Sequence, residues 1–284
     1  MPSSPYRIRI AQRHEIDTML QWAAGEGWNP GRHDAAAFHA ADPDGFLIGL
    51  LDGQPVASIS VVRYGPDYGF LGLYIVRPAY RGQGLGLQIW QAGLEHLGRR
   101  AIGLDGVVAR QDDYRRSGFR LAHRNIRYQG IAAPPGAAPD QGIVPLSQLA
   151  RGAVLDYDHA FFPADRSAFL HSWLRQPGAQ ALGLVRGGKL AGYGVMRPCL
   201  SGHKVGPLFA DDLAGAAALL AALRQGIPAG SPFFLDVPET HAAAVELAQN
   251  LDMTPMFETA RMYKGDPALP DMERSYGITT FELG

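Results

Sequence analysis

The same order of apolar runs and turns occurs twice along this chain. Residues 46–62 form two apolar runs around Asp52-Gly53, and residues 181–196 form two around Gly187-Gly188. Such turn residues between apolar runs are typical of tight β-hairpins. After each hairpin come a strand-like run, a helical pattern, a buried strand, a second helix and a last strand. We therefore predict two similar halves.

The element order also predicts the fold class. Strands dominate each half, and a strand–helix–strand crossover adds a parallel pair, so each half should be α+β, with a mixed, mostly antiparallel sheet flanked by helices. Residues 131–143 are rich in Pro, Gly and Ala without periodicity, which is typical of a linker. We expect one domain at 1–130 (the first half) and a second at 144–284 (the second half).

Composition disfavours several classes of function. The net charge of −1 disfavours nucleic-acid binding, which needs a basic surplus. A single cysteine, Cys199, excludes a disulfide framework, and the nine histidines form neither HxH nor HExxH, so no metal is expected. Neither a signal-peptide pattern nor an apolar run of membrane-spanning length occurs in the sequence. We expect a cytoplasmic protein without membrane partners.

A glycine-rich segment between a strand and a helix carries the strongest indication of function. The sequence of residues 76–86 is Val-Arg-Pro-Ala-Tyr-Arg-Gly-Gln-Gly-Leu-Gly, and a helical pattern begins near residue 87. Backbone N–H groups of glycine loops and helix N-termini bind anions, and an arginine adds a permanent charge. We therefore predict a pyrophosphate site formed by Arg81, Gly82, Gln83, Gly84, Leu85 and Gly86.

Other interpretations of this segment stay open on spacing alone. It could be a turn without a ligand, or a dinucleotide loop, since Asp105 follows about 20 residues later, where a ribose-binding acid would lie. The spacing is GxGxG, however, with Leu87 in place of the third glycine, and residues 77–80 separate strand from loop. Both features disfavour a dinucleotide site. A P-loop is excluded because GxxxxGK[ST] is absent from the sequence.

Two motifs together resemble the GNAT superfamily of N-acetyltransferases. Arg81, Gly84 and Gly86 occupy the fixed positions of its acetyl-coenzyme A signature, Arg/Gln-x-x-Gly-x-Gly/Ala after a strand. Tyr114, four residues before Gly118-Phe119, matches the tyrosine of the following helix. The first half resembles the family over residues 6–130, and the second half resembles it only as a degenerate copy. The arrangement therefore resembles a tandem GNAT protein.

The resemblance implies a reaction and its parts. It implies acetyl-CoA as cosubstrate and direct transfer of the acetyl group, in a ternary complex, to the primary amine of a small molecule. Backbone groups near Ile75 and Val76 would hold the pantetheine and thioester, and a backbone donor there would stabilise the oxyanion. Tyr114 would be the general acid that protonates the departing thiolate. The alternatives are a core tyrosine, and a non-catalytic acyl-CoA sensor in which Tyr114 is structural.

The base and the acceptor site are less defined. An alkylamine is protonated at neutral pH, so a carboxylate or water chain must take its proton. Glu26 and Asp105 are candidates, although each could equally be a solvated or capping carboxylate. Trp28, Asn29 and Tyr74 are expected to contact the acceptor. Trp28 and Asn29 lie in the break after the first helix, which matches the family's acceptor loop, and core packing is the alternative for the two aromatic residues.

The second half lacks both motifs. Where the glycine loop should be, it has Phe209-Ala210-Asp211-Asp212-Leu213-Ala214, and these two carboxylates would repel a pyrophosphate. No tyrosine occurs in residues 246–251. We predict one coenzyme per chain, bound in the first half. The second half should be a degenerate, non-catalytic domain that closes the sheet edge and helps to form the acceptor cleft, or serves only as a scaffold.

The C-terminal residues 275–284 follow the last repeated strand and are rich in β-forming residues. We expect this segment to dock as a strand along the seam between the halves. Some tandem GNAT enzymes use their terminal carboxylate as the base. That resemblance raises the alternative that Glu282 or the Gly284 carboxylate has a catalytic role, in place of a purely stabilising strand.

Overall fold

The structure, a computed structural model, describes residues 6–134 and 142–284. The predicted linker, residues 131–143, therefore lies partly outside the described residues. In chain order the first half contains β1 (Arg7–Ile10), α1 (Arg13–Gly25), α2 (Asp34–Ala41), β2 (Phe46–Leu51), β3 (Gln54–Tyr64), β4 (Tyr68–Val76), α3 (Leu85–Leu97), β5 (Ala101–Val107), α4 (Gln111–Arg116) and β6 (Arg120–Ile131).

The second half repeats much of this order, from β8 to β12. Its elements are β7 (Ile143–Pro145), α5 (Arg151–Asp158), α6 (Ser167–Trp173), β8 (Gln180–Arg186), β9 (Lys189–Pro198), β10 (His203–Ala210), α7 (Leu213–Gln225), β11 (Pro232–Pro238), α8 (Ala242–Gln249), β12 (Thr254–Lys264) and β13 (Ser275–Gly277). The two predicted hairpins are present as β2–β3 and β8–β9.

The strands of the described residues form one sheet in the order β1-β2-β3-β4-β5-β12-β6-β11-β10-β9-β8-β7, with β13 beside β10. The parallel pairs are β4–β5 and β10–β11, and the other named pairs are antiparallel. Each parallel pair is joined through a crossover helix, α3 or α7, as a parallel connection requires. The predicted α+β class, a mixed and mostly antiparallel sheet flanked by helices, is confirmed.

The two halves exchange their last strands. Strand β6 of the first half pairs with β11 and β12 of the second, while β12 inserts between β5 and β6. Register places Arg127 opposite both Asp236 and Phe257. Strand β12, from near the end of the chain, thereby lies beside β5, the strand that follows crossover helix α3. The sheet is continuous across the proposed division into residues 1–130 and 144–284.

The core lies on both faces of this sheet. Successive strand side chains point to opposite faces, so Ile59 and Val61 of β3 pack with the residues under α3, whereas Val62 and Tyr64 pack with those under α1 and α2. These side chains are at most 3% exposed. A strand that is apolar on both faces lies in the middle of three layers. Strand β3 and its neighbour β4 are therefore packed between helices on both faces of the sheet.

Contacts outside the sheet also join the halves. Arg197 of β9 donates to the Asp34 carboxylate of α2, with Nε–Oδ1 at 2.9 Å, and both side chains are fully buried. The Arg197 guanidinium lies 4.2 Å from the ring centroid of Trp173. Removing one partner of a buried ion pair costs about 3–5 kcal/mol, because the other charge is left unpaired. The halves are therefore coupled energetically.

Candidate active site

Strands β4 and β5 separate at their carboxyl ends. Their parallel pairing runs from Tyr68–Ala101 to Leu71–Leu104. Just beyond it, Leu73 has a φ of 44°, and the register of β3 against β4 shifts between Ser58 and Ser60. A bulge of this kind bends a strand and re-aims its groups. The strand ends diverge around a cavity of about 740 Å³, within the range of small-molecule sites.

The cavity wall comes from both halves. The first half contributes the ends of β4 and β5, the glycine loop, α4 and the segment after α1. The second half contributes two residues of exchanged strand β12, Phe257 and Thr259, and two of the C-terminal segment, Phe281 and Glu282. Both halves therefore line one cavity, and the role of the second half in an acceptor cleft stays a prediction.

The glycine loop has the backbone that an anion cradle needs. Gly82 and Gly84 have φ values of 75° and 77°, a left-handed region that other residues enter only with strain. Gly84 is the N-cap of α3, so the free N–H groups of the first turn follow it. A Cβ on Gly86 would lie 2.7 Å from the Tyr74 hydroxyl. Of the other two predicted loop contacts, Leu85 is buried in the core and the exposed Gln83 donates to the Ala79 carbonyl.

Arg81 lies at the mouth of the cavity. Its Nε donates to the Val76 carbonyl at 2.8 Å, and its Nη2 pairs with the Glu26 carboxylate, which also lines the cavity. The sequence interpretation missed two further cations of the wall, Arg110 and Arg116. The sequence indicates these two arginines only by their position, since both lie within four residues of Tyr114. The three arginines outnumber the two carboxylates paired with them, Glu26 and Asp113, so this end of the cavity keeps a net positive charge that suits phosphate.

Tyr114 faces the same cavity from α4. Its ring stacks on Trp90, with centroids 5.6 Å apart, and Gly106 provides the space: a Cβ there would lie 2.2 Å from the Tyr114 ring. Burial, with a smaller contribution from Tyr74, raises the pKa of Tyr114 to about 12. The phenol therefore remains protonated at neutral pH and can donate a proton.

Ile75, Val76 and Tyr74 line the cavity along the free end of β4. Ile75 and Val76 remain paired with β3 on the opposite side. The Tyr74 ring packs against Trp90 with centroids 5.2 Å apart, and burial raises its pKa. These three residues therefore form one side of the cavity.

Asp105 is not a free carboxylate. It accepts from Arg261 through Nε at 3.0 Å and Nη2 at 2.6 Å, and from Asn125 Nδ2 at 2.8 Å, and its side chain is fully buried. Arg261 comes from the exchanged strand β12. This geometry suits a structural ion pair better than a base.

The two predicted acceptor residues after α1 have different positions. Trp28 lines the cavity. Asn29 instead joins the halves: its Nδ2 donates to the Ser201 carbonyl and its Oδ1 accepts from the Ser201 N–H, each at 3.0 Å. Asn29 thus fixes the loop that carries Trp28. This polar role requires a partner 172 residues away, which the sequence pattern does not reveal.

The C-terminal segment crosses from the second half to the first. Residues 275–277 form β13 against β10, whereas residues 278–284 are irregular and at most 8% exposed. The expected strand is therefore limited to its first three residues. Close approach to the sheet is the reason: a Cβ on Gly72 of β4 would lie 2.2 Å from the Glu282 carbonyl oxygen. Tyr64 donates to the Leu283 carbonyl at 3.2 Å, in place of a ladder bond.

The two tail carboxylates have different surroundings. Glu282 lines the cavity, and Thr280 Oγ1 donates to its carboxylate. The terminal residue, Gly284, lies away from it, with its carbonyl oxygen 3.4 Å from Arg166 Nη1. Arg166 is itself held by Asp158 through two bonds of 2.8 and 2.7 Å. Of the two groups considered from the sequence, Glu282 is the one at the site.

The equivalent helix of the second half is capped by its own carboxylate. Asp212 Oδ1 accepts from the Gly215 N–H at 2.7 Å, and this bond, with help from Arg186, lowers the pKa of Asp212. A negative charge already occupies the position where a phosphate would bind.

Membrane spans and metal clusters are both absent from residues 6–134 and 142–284. None of the helices there has both the length and the apolar character needed to cross a membrane. Over the same ranges, no group of three or more His, Cys, Asp or Glu side chains could hold a metal ion.

Comparisons with known proteins agree with this architecture. Holothin acyltransferase from Pseudoalteromonas sp. (strain SANK 73390) is 28% identical over 274 residues, which covers 96% of this chain and 93% of that protein. A crystal structure of a Pyrococcus horikoshii protein superposes with a TM-score of 0.82 at 24% identity, covering 98% of this chain and 96% of the other. A tandem GNAT protein from the clavulanic acid biosynthesis pathway gives 0.64 at 14% identity, covering 94% and 100%.

Two family models match consecutive parts of the chain. Residues 13–119 match the model described as Acetyltransferase (GNAT) family, and residues 154–277 match the one described as Acetyltransferase (GNAT) domain. Together the two matches take up well over half of the sequence. The chain therefore belongs to the GNAT superfamily of acyltransferases and is a tandem of two GNAT domains.

Proposed function

We propose that this chain transfers an acetyl group from acetyl-CoA directly to the primary amine of a small molecule. The observation that carries the proposal is that one cavity joins the glycine loop, the free end of β4 and the protonated phenol of Tyr114. A relative whose name describes acyl transfer to holothin supports the same reaction class.

The coenzyme would bind along β4 and the loop. Left-handed Gly82 and Gly84 leave room for a pyrophosphate, and the nearby arginines, led by Arg81, supply charge. Backbone groups of Ile75 and Val76 would hold the pantetheine arm and stabilise the oxyanion, as fixed donors do in acyl transfer. The bound coenzyme supplies the activated thioester, and no metal is needed for this chemistry.

Proton transfer would use Tyr114 and Glu282. Tyr114, with a pKa near 12, donates to the departing thiolate. Among the candidate bases, Asp105 is paired with Arg261 and Glu26 with Arg81. The Glu282 carboxylate lines the cavity and accepts from the Thr280 hydroxyl; it interacts electrostatically with the buried Arg127 and Lys204, but forms no ion pair within the described residues. We infer that Glu282 accepts the proton of the ammonium substrate.

Substitution of Glu282 by Gln tests this role while keeping the shape of the side chain. We expect kcat to fall by about 10²-fold, since general bases contribute on that scale, with an unchanged Kd for acetyl-CoA. The fall should be smaller at high pH, where more of the amine is already neutral. Equal activity of Glu282→Gln and wild type across pH would reject Glu282 as the base.

The reaction itself is tested by free thiol release from acetyl-CoA with and without primary amines. We expect release that depends on the amine, and a higher Tm with acetyl-CoA but not with NAD(H). At a hundred-fold excess over Kd, a ligand adds about 2.7 kcal/mol to the free energy of unfolding. Coenzyme binding without turnover of any amine would indicate a sensor, and stabilisation by NAD(H) alone would indicate a dinucleotide site.

A further inference from the structure

A buried arginine organises the acceptor end of the cavity. Arg127 of β6 is 3% exposed and forms two parallel bonds to Asp236, Nε–Oδ1 at 2.7 Å and Nη2–Oδ2 at 2.8 Å. Its third donor, Nη1, reaches the Trp28 carbonyl at 2.7 Å. Because the two carboxylate bonds fix the plane of the guanidinium, Arg127 also fixes the backbone of Trp28.

The same guanidinium packs on two further aromatic residues of the cavity wall. It lies 4.7 Å from the ring centroid of Phe281 and 5.9 Å from that of Phe257. These two rings are 6.1 Å apart and inclined by 56°. A register shift in β12, between Pro255 and Phe257, brings Phe257 opposite Arg127. One guanidinium thus contacts two aromatic rings, those of Phe257 and Phe281, and the backbone of a third aromatic residue, Trp28.

Charge divides the cavity into two ends. Within the described residues, the arginines of the wall are Arg81, Arg110 and Arg116, all in the glycine loop or the α4 region. They are paired with two carboxylates of the same wall, Glu26 and Asp113, and exceed them by one charge. The other end of the cavity, which we call the aromatic end, is lined by Trp28, Phe257 and Phe281. Its carboxylates are Glu282 and Asp105, and the charge of Asp105 is neutralised by Arg261. An amino sugar would need many polar partners and a polyamine several free carboxylates. Among the described wall residues, Glu282 is the one carboxylate outside an arginine pair, and it lies beside apolar aromatic residues, so this end suits neither.

We propose that Trp28, Phe257 and Phe281 bind an acceptor whose primary amine is carried on a flat aromatic or heteroaromatic body. Aromatic walls favour such a body by stacking and edge contacts, and Glu282 draws the amine toward the thioester. Arg127 acts as a positioning residue that holds the three walls in place. This inference rests on the proposed acetyl transfer and specifies its substrate class.

The test compares matched amines. Acetyl transfer is measured with tryptamine and 2-phenylethylamine, against 2-cyclohexylethylamine (the same linker on a puckered ring), spermidine and glucosamine. We expect kcat/KM for the aromatic amines to exceed that for 2-cyclohexylethylamine by about ten-fold. The two polar amines should be poorer still.

Variants then assign the preference to residues. Phe257→Leu and Phe281→Leu keep apolar volume but lose the flat face, so both should bring the aromatic-to-cyclohexyl ratio close to one without changing the KM for acetyl-CoA. Arg127→Lys keeps the positive charge but loses the paired hydrogen bonds to Asp236. It should lower the aromatic-to-cyclohexyl ratio and raise the KM for the amine, without changing the KM for acetyl-CoA. Phe233→Leu is the matched control, since Phe233 also lies beneath an arginine, Arg224, at 5.2 Å, but in the core of the second half.

The outcomes separate the two claims. If wild type acetylates 2-cyclohexylethylamine, spermidine or glucosamine as well as the aromatic amines, or if the phenylalanine variants keep the aromatic preference, the substrate class is wrong while acetyl transfer stands. If acetyl-CoA binds but no amine is acetylated, the proposed function itself fails.

Discussion

At the scale of single residues, the neighbours of each side chain determine its charge and its protonation. Tyr114 lies in a buried slot beside Gly106 and Trp90, and burial raises the pKa of its phenol, which is protonated at neutral pH. Asp105 faces the same cavity but is neutralised by Arg261. Two residues that look alike as candidate catalytic groups in the sequence therefore differ in the chemistry available to them.

Gly84 offers a test of the phosphate cradle. We expect Gly84→Val to weaken acetyl-CoA binding about ten-fold or more, because a β-branched residue at a φ of 77° forces the loop to move. Calorimetric titration measures the affinity. Gly53→Val is the control: Gly53 has a similar φ of 75° and equally open surroundings, but lies in the β2–β3 hairpin. Equal affinity in both variants would show that the loop does not bind the coenzyme.

At the scale of elements, the exchanged strands and the C-terminal segment complete the first half's cavity. Gly72→Ala should displace the segment, because the new Cβ would lie 2.2 Å from the Glu282 carbonyl oxygen. We expect kcat to fall about ten-fold while the Kd for acetyl-CoA stays within two-fold, as for a change confined to the catalytic step.

Gly152→Ala is the matched control for this substitution. Gly152 lies in α5, and a Cβ added there would have no neighbour within 4 Å, so alanine should be neutral or slightly stabilising. Full activity of Gly72→Ala, at an unchanged Tm, would mean that the position of Glu282 does not matter to the reaction.

The sequence predicted the local elements of this fold well. The two hairpins, the crossover helices, the loop and the position of Tyr114 follow from patterns within about ten residues of each other, which turn chemistry and periodicity determine. The strand exchange could not be predicted in this way. Arg261 pairs with Asp105 across 156 residues, and Asn29 binds Ser201 across 172, and such contacts depend on sheet register.

For the same reason, the sequence indicates only part of the acceptor wall that we propose. Trp28 could be proposed because it lies in the break after the first helix, where the family has its acceptor loop. Phe257 had no sequence signal, since an aromatic residue in a strand is most often core. Its position in the wall depends on the shift of β12 against β6, a property of the assembled sheet.

At the scale of the whole molecule, the two GNAT domains differ at the start of their crossover helices, α3 and α7. Asp212 caps α7 at the place where the first half has its glycine loop. We therefore expect calorimetric titration with acetyl-CoA to give one site per chain, and Gly84→Val to weaken that same site. Two equivalent sites per chain would contradict the difference between the halves.

For the whole molecule, we propose above all that acetyl transfer takes place in the cavity lined by the glycine loop and Tyr114. The most direct measurement is the rate of amide formation from acetyl-CoA and a primary amine by wild type and Tyr114→Phe, with acetyl-CoA affinity measured alongside. Loss of the proton donor should lower kcat by about 10²-fold or more, with little change in the Kd for the coenzyme. A variant that forms the amide at the wild-type rate would contradict this claim.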